Sequence, residues 1–125
     1  MRMSTAVRGI RGAITVKENS AEEILQETRH LATRMMELNQ VEVEDVASII
    51  FSVTEDLDAA FPAQALRGPE FKFVPLLDCC EIPVPGSLKK CIRILMHVNT
   101  HKTQKEIVHA YLGGAGALRK DLVQP

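Results

Sequence analysis

Between Ser20 and Asn39 the chain repeats its apolar residues every three to four positions, and on both sides of that stretch the period drops to two. Ile24, Thr28, Leu31, Met35 and Leu38 form the stripe, with Leu25, Ala32 and Met36 beside it. That spacing predicts one amphipathic helix with a single buried face. Ser20 and Glu23 are spaced as a capping box at its start, and Asn39 marks its end. A helix of this kind needs an apolar surface to lie on, and the flanking segments can supply it as a sheet.

Val7 to Val16 reads as the first strand. Ile10, Ile14 and Val16 fall on one face, and Gly9, Arg11, Ala13 and Thr15 on the other. Acidic residues at 42, 44 and 45 predict a short helical turn, and Ala47 to Thr54, β-branched and apolar, a buried second strand. Asp56 to Arg67 reads as a loop with a helical turn near Pro62, and Phe71 to Leu77 as a third strand. Ile82-Pro83-Val84-Pro85-Gly86 is no central strand, because proline removes a ladder donor. Cys91 to Asn99 is the fourth strand, with Cys91, Arg93, Leu95 and His97 facing away from Ile92, Ile94, Met96 and Val98. Thr103 and Glu106 are spaced to cap a second helix carrying Ile107, Ala110 and Tyr111, ended by Gly113, Gly114 and Gly116. Leu118 to Pro125 is expected to be a loosely held tail. The order β-α-β-β-β-α predicts an α+β fold, a mixed sheet with helices packed on one side, in a single domain of 125 residues.

Composition narrows the partners. A formal net charge of −1 gives no global field for nucleic acid or anionic membrane, and with no Trp and one Tyr the chain lacks stacking platforms for bases. Three cysteines without regular spacing read as reduced thiols, not a disulfide framework. The segment Met1 to Thr5 lacks the apolar run of a signal peptide, and no stretch is long enough to span a membrane. The expected location is the cytoplasm.

Three arginines are candidates for chemistry. Arg11 and Arg93 interrupt apolar strands, Arg11 between two very small neighbours, and Arg67 lies in a Gly/Pro loop. A charge in such a place needs an anion or solvent, and the guanidinium fork matches a carboxylate. From pattern alone each reads first as a surface-facing arginine or half of a structural ion pair. Arg8 alternates onto the face opposite Arg11 and reads as structural. Glu81 is readable as a solvated loop acid, and Tyr111 as a core tyrosine with a satisfied hydroxyl. The cysteines and histidines show no C-x-x-C pair, no residue stands out as a nucleophile, and neither a Walker motif nor G-x-G-x-x-G is present. The expectation is a site without metal or cofactor, built from arginines, one acid and one tyrosine, and suited to a small polyanion.

The segment Val7-Arg8-Gly9-Ile10-Arg11-Gly12-Ala13 resembles the N-terminal signature of the trimeric α+β chorismate mutases, which are monofunctional enzymes. The resemblance runs on through Thr54-Glu55-Asp56-Leu57, Phe61-Pro62-Ala63, Val74-Pro75, Glu81 and Gly86-Ser87-Leu88-Lys89-Lys90-Cys91-Ile92-Arg93. It closes with His109-Ala110-Tyr111-Leu112 and Leu118-Arg119, so that nearly the whole chain is covered in order. It implies a ferredoxin-like mixed sheet, three subunits forming a barrel-like homotrimer, and active sites in the clefts between subunits. The implied activity is the rearrangement of chorismate to prephenate in aromatic amino acid biosynthesis. The implied roles place Arg93 at the ether oxygen, Arg11 at a carboxylate, Glu81 on the ring hydroxyl and Tyr111 on the side-chain carboxylate. Phe61, Ala63 and Leu118 would line the pocket, with Arg67 and Arg119 at its mouth. Gln64 stands where some relatives carry Lys, Asp78 stands as an acid beside Glu81 where some carry Cys, and the loop Arg67-Gly68-Pro69-Glu70 is one residue shorter than in some relatives. Two rivals of other classes are a non-catalytic ligand-binding trimer and a trimeric deaminase that captures a carboxylate with one arginine.

Overall fold

The computed structural model describes residues 4–119. It contains β1 (Ala6–Thr15), α1 (Ala21–Leu38), β2 (Val46–Val53), β3 (Leu76–Cys80), β4 (Cys91–Thr100) and β5 (Ala110–Leu112). One mixed sheet runs in the order β3-β2-β4-β1-β5. The central β4 is antiparallel to β1 and β2, while β3 and β5 lie parallel to β2 and β1 at the two edges.

The helix α1 covers one face of this sheet. Ile24, Leu31 and Met35 pack on Ile10, Ile14, Ile49, Phe51, Ile92, Ile94 and Met96, all inside one buried cluster. The approach is close: a Cβ at position 12 would run into Met35 Sδ. At the start of α1 the Ser20 hydroxyl accepts from the Glu23 amide at 3.2 Å. The reciprocal half of the expected box is absent: Ser20 N–H donates to Glu18 O at 2.9 Å, and the Glu23 carboxylate instead accepts from the Lys17 and Glu18 amides.

Two elements differ from the reading above. The third strand is Leu76–Cys80, not Phe71 to Leu77. Phe71 drops into the core from a run of turns while Phe73 is 90% exposed, and the Pro75 carbonyl, not its missing N–H, joins the sheet by accepting from Ile49 at 3.0 Å. The polar Asp78-Cys79-Cys80 run forms a strand because β3 is an edge, where one side is solvated. The second helix is also absent. Thr103 and Glu106 do form a reciprocal capping box, but it closes one 3-10 turn, Gln104–Glu106. The chain then pairs with the open edge of β1 as β5, since backbone groups there need partners that a helix would not supply. Ile107 and Ala110 bury into the main cluster, and Tyr111 turns to the other face.

Among the described residues, that other face carries no α-helix. At one end a small second cluster forms from Ala13, Cys91 and Ala115 with Leu88, Tyr111 and Leu118, so Leu118 is packed and not loose; residues 120–125 of the expected tail lie outside the described residues. The 3-10 turn Gly113–Ala117 approaches β1 here, with Gly113 at φ +58° and the Gly114 amide donating to Thr15 Oγ1 at 2.8 Å. Elsewhere on this face, among the described residues, Leu95, Leu77 and Val7 are 39%, 58% and 58% exposed.

Candidate active site

The alternation read in β1 and β4 holds: Arg11 and Arg93 both stand on the helix-free face, exposed, while their neighbours Ile10, Ile92 and Ile94 are buried. Register places Arg93 opposite Ala13 and Arg11 opposite Leu95, so the two arginines are diagonal neighbours on adjacent strands. On the far side of β4, Arg93 faces Ser52. The small residues Ala13 and Ser52 leave the guanidinium room on both sides.

Glu81 reaches the same place from the end of β3. Its amide donates to Val53 O at 2.8 Å, extending the β2–β3 ladder by one residue. Its Oε1 lies 3.3 Å from Arg93 Nε, and its Oε2 accepts from the Ser52 hydroxyl. The acid is thus a positioned group and not a freely solvated loop residue. Arg93 and Glu81 are 48% and 25% exposed, and an ion pair so exposed contributes little to stability.

Both groups line a cleft of about 660 Å³ together with Thr54, Asp56, Cys91 and Leu118, one wall being the segment from Ile82 to Lys89. A hydrogen-bond knot fixes its floor. The Asp56 carboxylate accepts from Lys90 N–H at 3.0 and 3.1 Å and from the Thr54 hydroxyl, which in turn accepts from the Cys91 amide at 3.0 Å. Lys90 takes φ +49° at this turn, directly before β4. Burial alone would raise the Asp56 pKa, but the bonds from Thr54 and Lys90 outweigh it and hold the carboxyl below its ordinary range. Burial pushes the Cys91 thiol up to about 11, against the pull of Arg93.

The remaining expected residues are distributed unevenly. Tyr111, on β5 instead of a helix, faces the same side as Arg11, opposite Ala13. Arg119 is exposed just beyond Leu118. Phe61, Ala63 and Arg67 do not line this cleft. They belong to the loop around the 3-10 turn Pro62–Ala65, which packs on α1, β2 and β3. Phe61 is 66% exposed, Arg67 and Gln64 are exposed, and the Ala63 side chain is fully buried in the main core. Asp78 is not beside Glu81. It pairs with Phe51 on the helix-side face, and its Oδ1 accepts from the Ala63 amide at 3.0 Å, which fixes the Phe61 loop. Arg8, as expected of a structural arginine, donates from Nε to Lys102 O at 3.0 Å.

Sequence reasoning passed over Ser52, Asp56, His109 and Asn39. Ser48 and Ser52 carry a usable signal, two hydroxyls four apart in an otherwise apolar strand, hence on one face. Asn39, read only as a helix stop, is 2% exposed and ties α1 to the segment before β5: its amide donates to Met35 O and Val108 O, and its carbonyl accepts from Val108 N–H, each at 2.8 Å. His97 and His101 have H-x-x-x-H spacing, but on and just past a strand it does not bring them together, and they hydrogen-bond to Ser48 Oγ and Ser4 O. Among the described residues no group of three or more His, Cys, Asp or Glu is placed to hold a metal, and no helix is long and apolar enough to cross a membrane.

Comparison with known proteins points one way. The family model for chorismate mutase type I matches residues 7–122. The chain is 51% identical over 117 residues to chorismate mutase AroH of Thermus thermophilus, covering 93% of this chain and 96% of that protein. It is 45% identical over 117 residues to chorismate mutase AroH of Bacillus subtilis (strain 168), covering 93% and 92%. A solved chorismate mutase from Clostridium thermocellum matches the fold with a TM-score of 0.86 at 54% identity, over 88% of this chain and 98% of that one.

Proposed function

The chain belongs to the chorismate mutase type I family and is an isomerase that converts chorismate to prephenate in aromatic amino acid biosynthesis, and from that premise we propose that it does so with Arg93 and Arg11 as the principal substrate contacts. The reaction is unimolecular: the ether C–O bond breaks while a C–C bond forms, and no proton moves. An enzyme for it has two tasks, to hold the folded diaxial conformer and to stabilise charge growing on the ether oxygen. Arg93 suits the second task. Glu81 engages its Nε, and a guanidinium with five donors keeps others for the substrate oxygen. Glu81, steadied by Ser52, accepts from the ring hydroxyl. Arg11 and Tyr111 clamp carboxylates on the same face.

The observation that carries this reading is the placement of Arg93 and Glu81 together in one cleft, in contact and partly open to solvent. Purified protein is expected to abolish chorismate absorbance, and Arg93→Ala to remove that activity in a folded protein. Activity unchanged in the variant would overturn the assignment.

We further propose a homotrimer with the sites between subunits. Leu95, Leu77 and Val7, exposed among the described residues on the sheet face opposite α1, call for a cover. Phe61 and Arg67, both exposed, lie away from the cleft of their own chain, and a neighbouring copy would bring them to it, with Leu118 and Arg119 closing the mouth; Ala63, buried in its own core, does not reach it. Light scattering is expected to give three copies, and an active monomer would refute this. Three unpaired cysteines fit a cytoplasmic protein. The chain is read as one domain that works without a metal or cofactor and without nucleic-acid or membrane partners.

A further inference from the structure

β5 is only three residues long and pairs with β1 from Gly12 onward, so the Arg11 amide falls just before the strand that should receive it. The acceptor is a side chain: Arg11 N–H donates to His109 Nδ1 at 2.8 Å. His109 stands one residue before β5 and two before Tyr111. The backbone of His109 is steadied from the other side, because Asn39 grips both backbone groups of Val108.

We propose that the neutral imidazole of His109 is a positioning residue that holds Arg11 and Tyr111 in register for one substrate carboxylate clamp. The inference rests on the roles given to Arg11 and Tyr111 above and explains how two residues from different strands are kept together. An imidazole accepts at Nδ1 only when its single proton sits on Nε2; the imidazolium offers two donors and no acceptor. Protonation therefore turns the contact with Arg11 N–H from attraction into repulsion. The surroundings favour the neutral form. Half-burial, then the guanidinium charges of Arg11 from β1 and of Arg119 from the segment after the last turn, hold the His109 pKa below its ordinary value.

Asparagine places its Oδ1 two bonds from Cβ, where histidine places Nδ1, and it cannot be protonated near neutrality. His109→Asn is therefore the restoring variant and His109→Leu the disrupting one. In the leucine variant we expect KM for chorismate to rise roughly two- to tenfold, the loss of one hydrogen bond, with kcat falling less. Hydrogen exchange at the Arg11 amide should speed up in the same variant. The asparagine variant should retain both the parent KM and the slow exchange. As pH falls below about 6.5, the ordinary histidine value, the parent KM should climb while that of His109→Asn stays nearer its neutral value; substrate ionisation is common to both. Should His109→Leu fail to fold, the asparagine pH profile and parent exchange data still decide. Equal KM in all three proteins, or the same acid limb with and without the imidazole, overturns the inference. Arg11→Ala separates the premise: an unchanged kcat/KM there refutes the role of Arg11, whereas a damaged Arg11→Ala beside an unaffected His109→Leu refutes only the role of His109.

Discussion

Arg93 Nε lies 3.3 Å from Glu81 Oε1 on the helix-free face, and neither residue is buried. Half-exposed pairs of this sort are worth about 0–1 kcal/mol, so the pair contributes little to holding the fold together. In the mechanism proposed above the pairing orients a fork instead of holding the fold together, which makes Arg93 the residue to test first.

Arg93→Lys keeps the charge and removes the planar fork. Loss of a donor aimed at charge that develops in the transition state typically costs roughly 10²–10³-fold in rate. We expect kcat to fall by that order, with a smaller change in KM and a melting temperature close to the parent's. A variant with near-parental kcat and lowered thermal stability would show that the pair is structural.

The rearrangement moves no proton, so its rate should be the same in light and heavy water apart from small medium effects. A large solvent isotope effect on the chemical step would point to proton transfer, as in the rival deaminase reading.

Cys91 is 1% exposed and its thiol pKa is pushed up to about 11, so at pH 8 it is both shielded and protonated. Thiol reagents should leave Cys91 unlabelled in the folded protein and reach it only on denaturation. Peptide mapping that finds Cys91 modified as fast as the exposed Cys79 and Cys80 would contradict the packing of the second cluster.

Gly12→Ala forces a Cβ against Met35 Sδ. Overpacking of this kind costs about 1–3 kcal/mol, and the flexible end of methionine should keep the loss toward the lower figure. Urea unfolding is the measurement, and a parental midpoint would mean that α1 sits further from β1 than described.

Local periodicity made much of this protein legible. The two-residue alternation in β1 and β4 puts Arg11 and Arg93 each opposite the apolar face of its own strand, because strand geometry leaves only two directions for a side chain, and strand pairing then sets them on one face. The stripe from Ile24 to Met35 likewise dictated a helix buried on one side. Where the sequence misled, a local signal met a distant competitor. The capping box of Thr103 and Glu106 is satisfied within one turn, yet the residues after it pair with β1, nearly a hundred positions away, because an unpaired strand edge gains more from a backbone partner than a single turn gains from propagating. Asp78 was placed by sequence beside Glu81 and by pleat on the opposite face. Sequence alone thus determined the first helix, the first, second and fourth strands, the alternation of side chains in β1 and β4 and, by resemblance, the family. Only the tertiary structure decided which residues meet. It joined Ser52 to Glu81 and Arg93, Asn39 to Val108, and His109 to the Arg11 amide, since each contact depends on strand register and edge pairing between segments that carry no mark of one another.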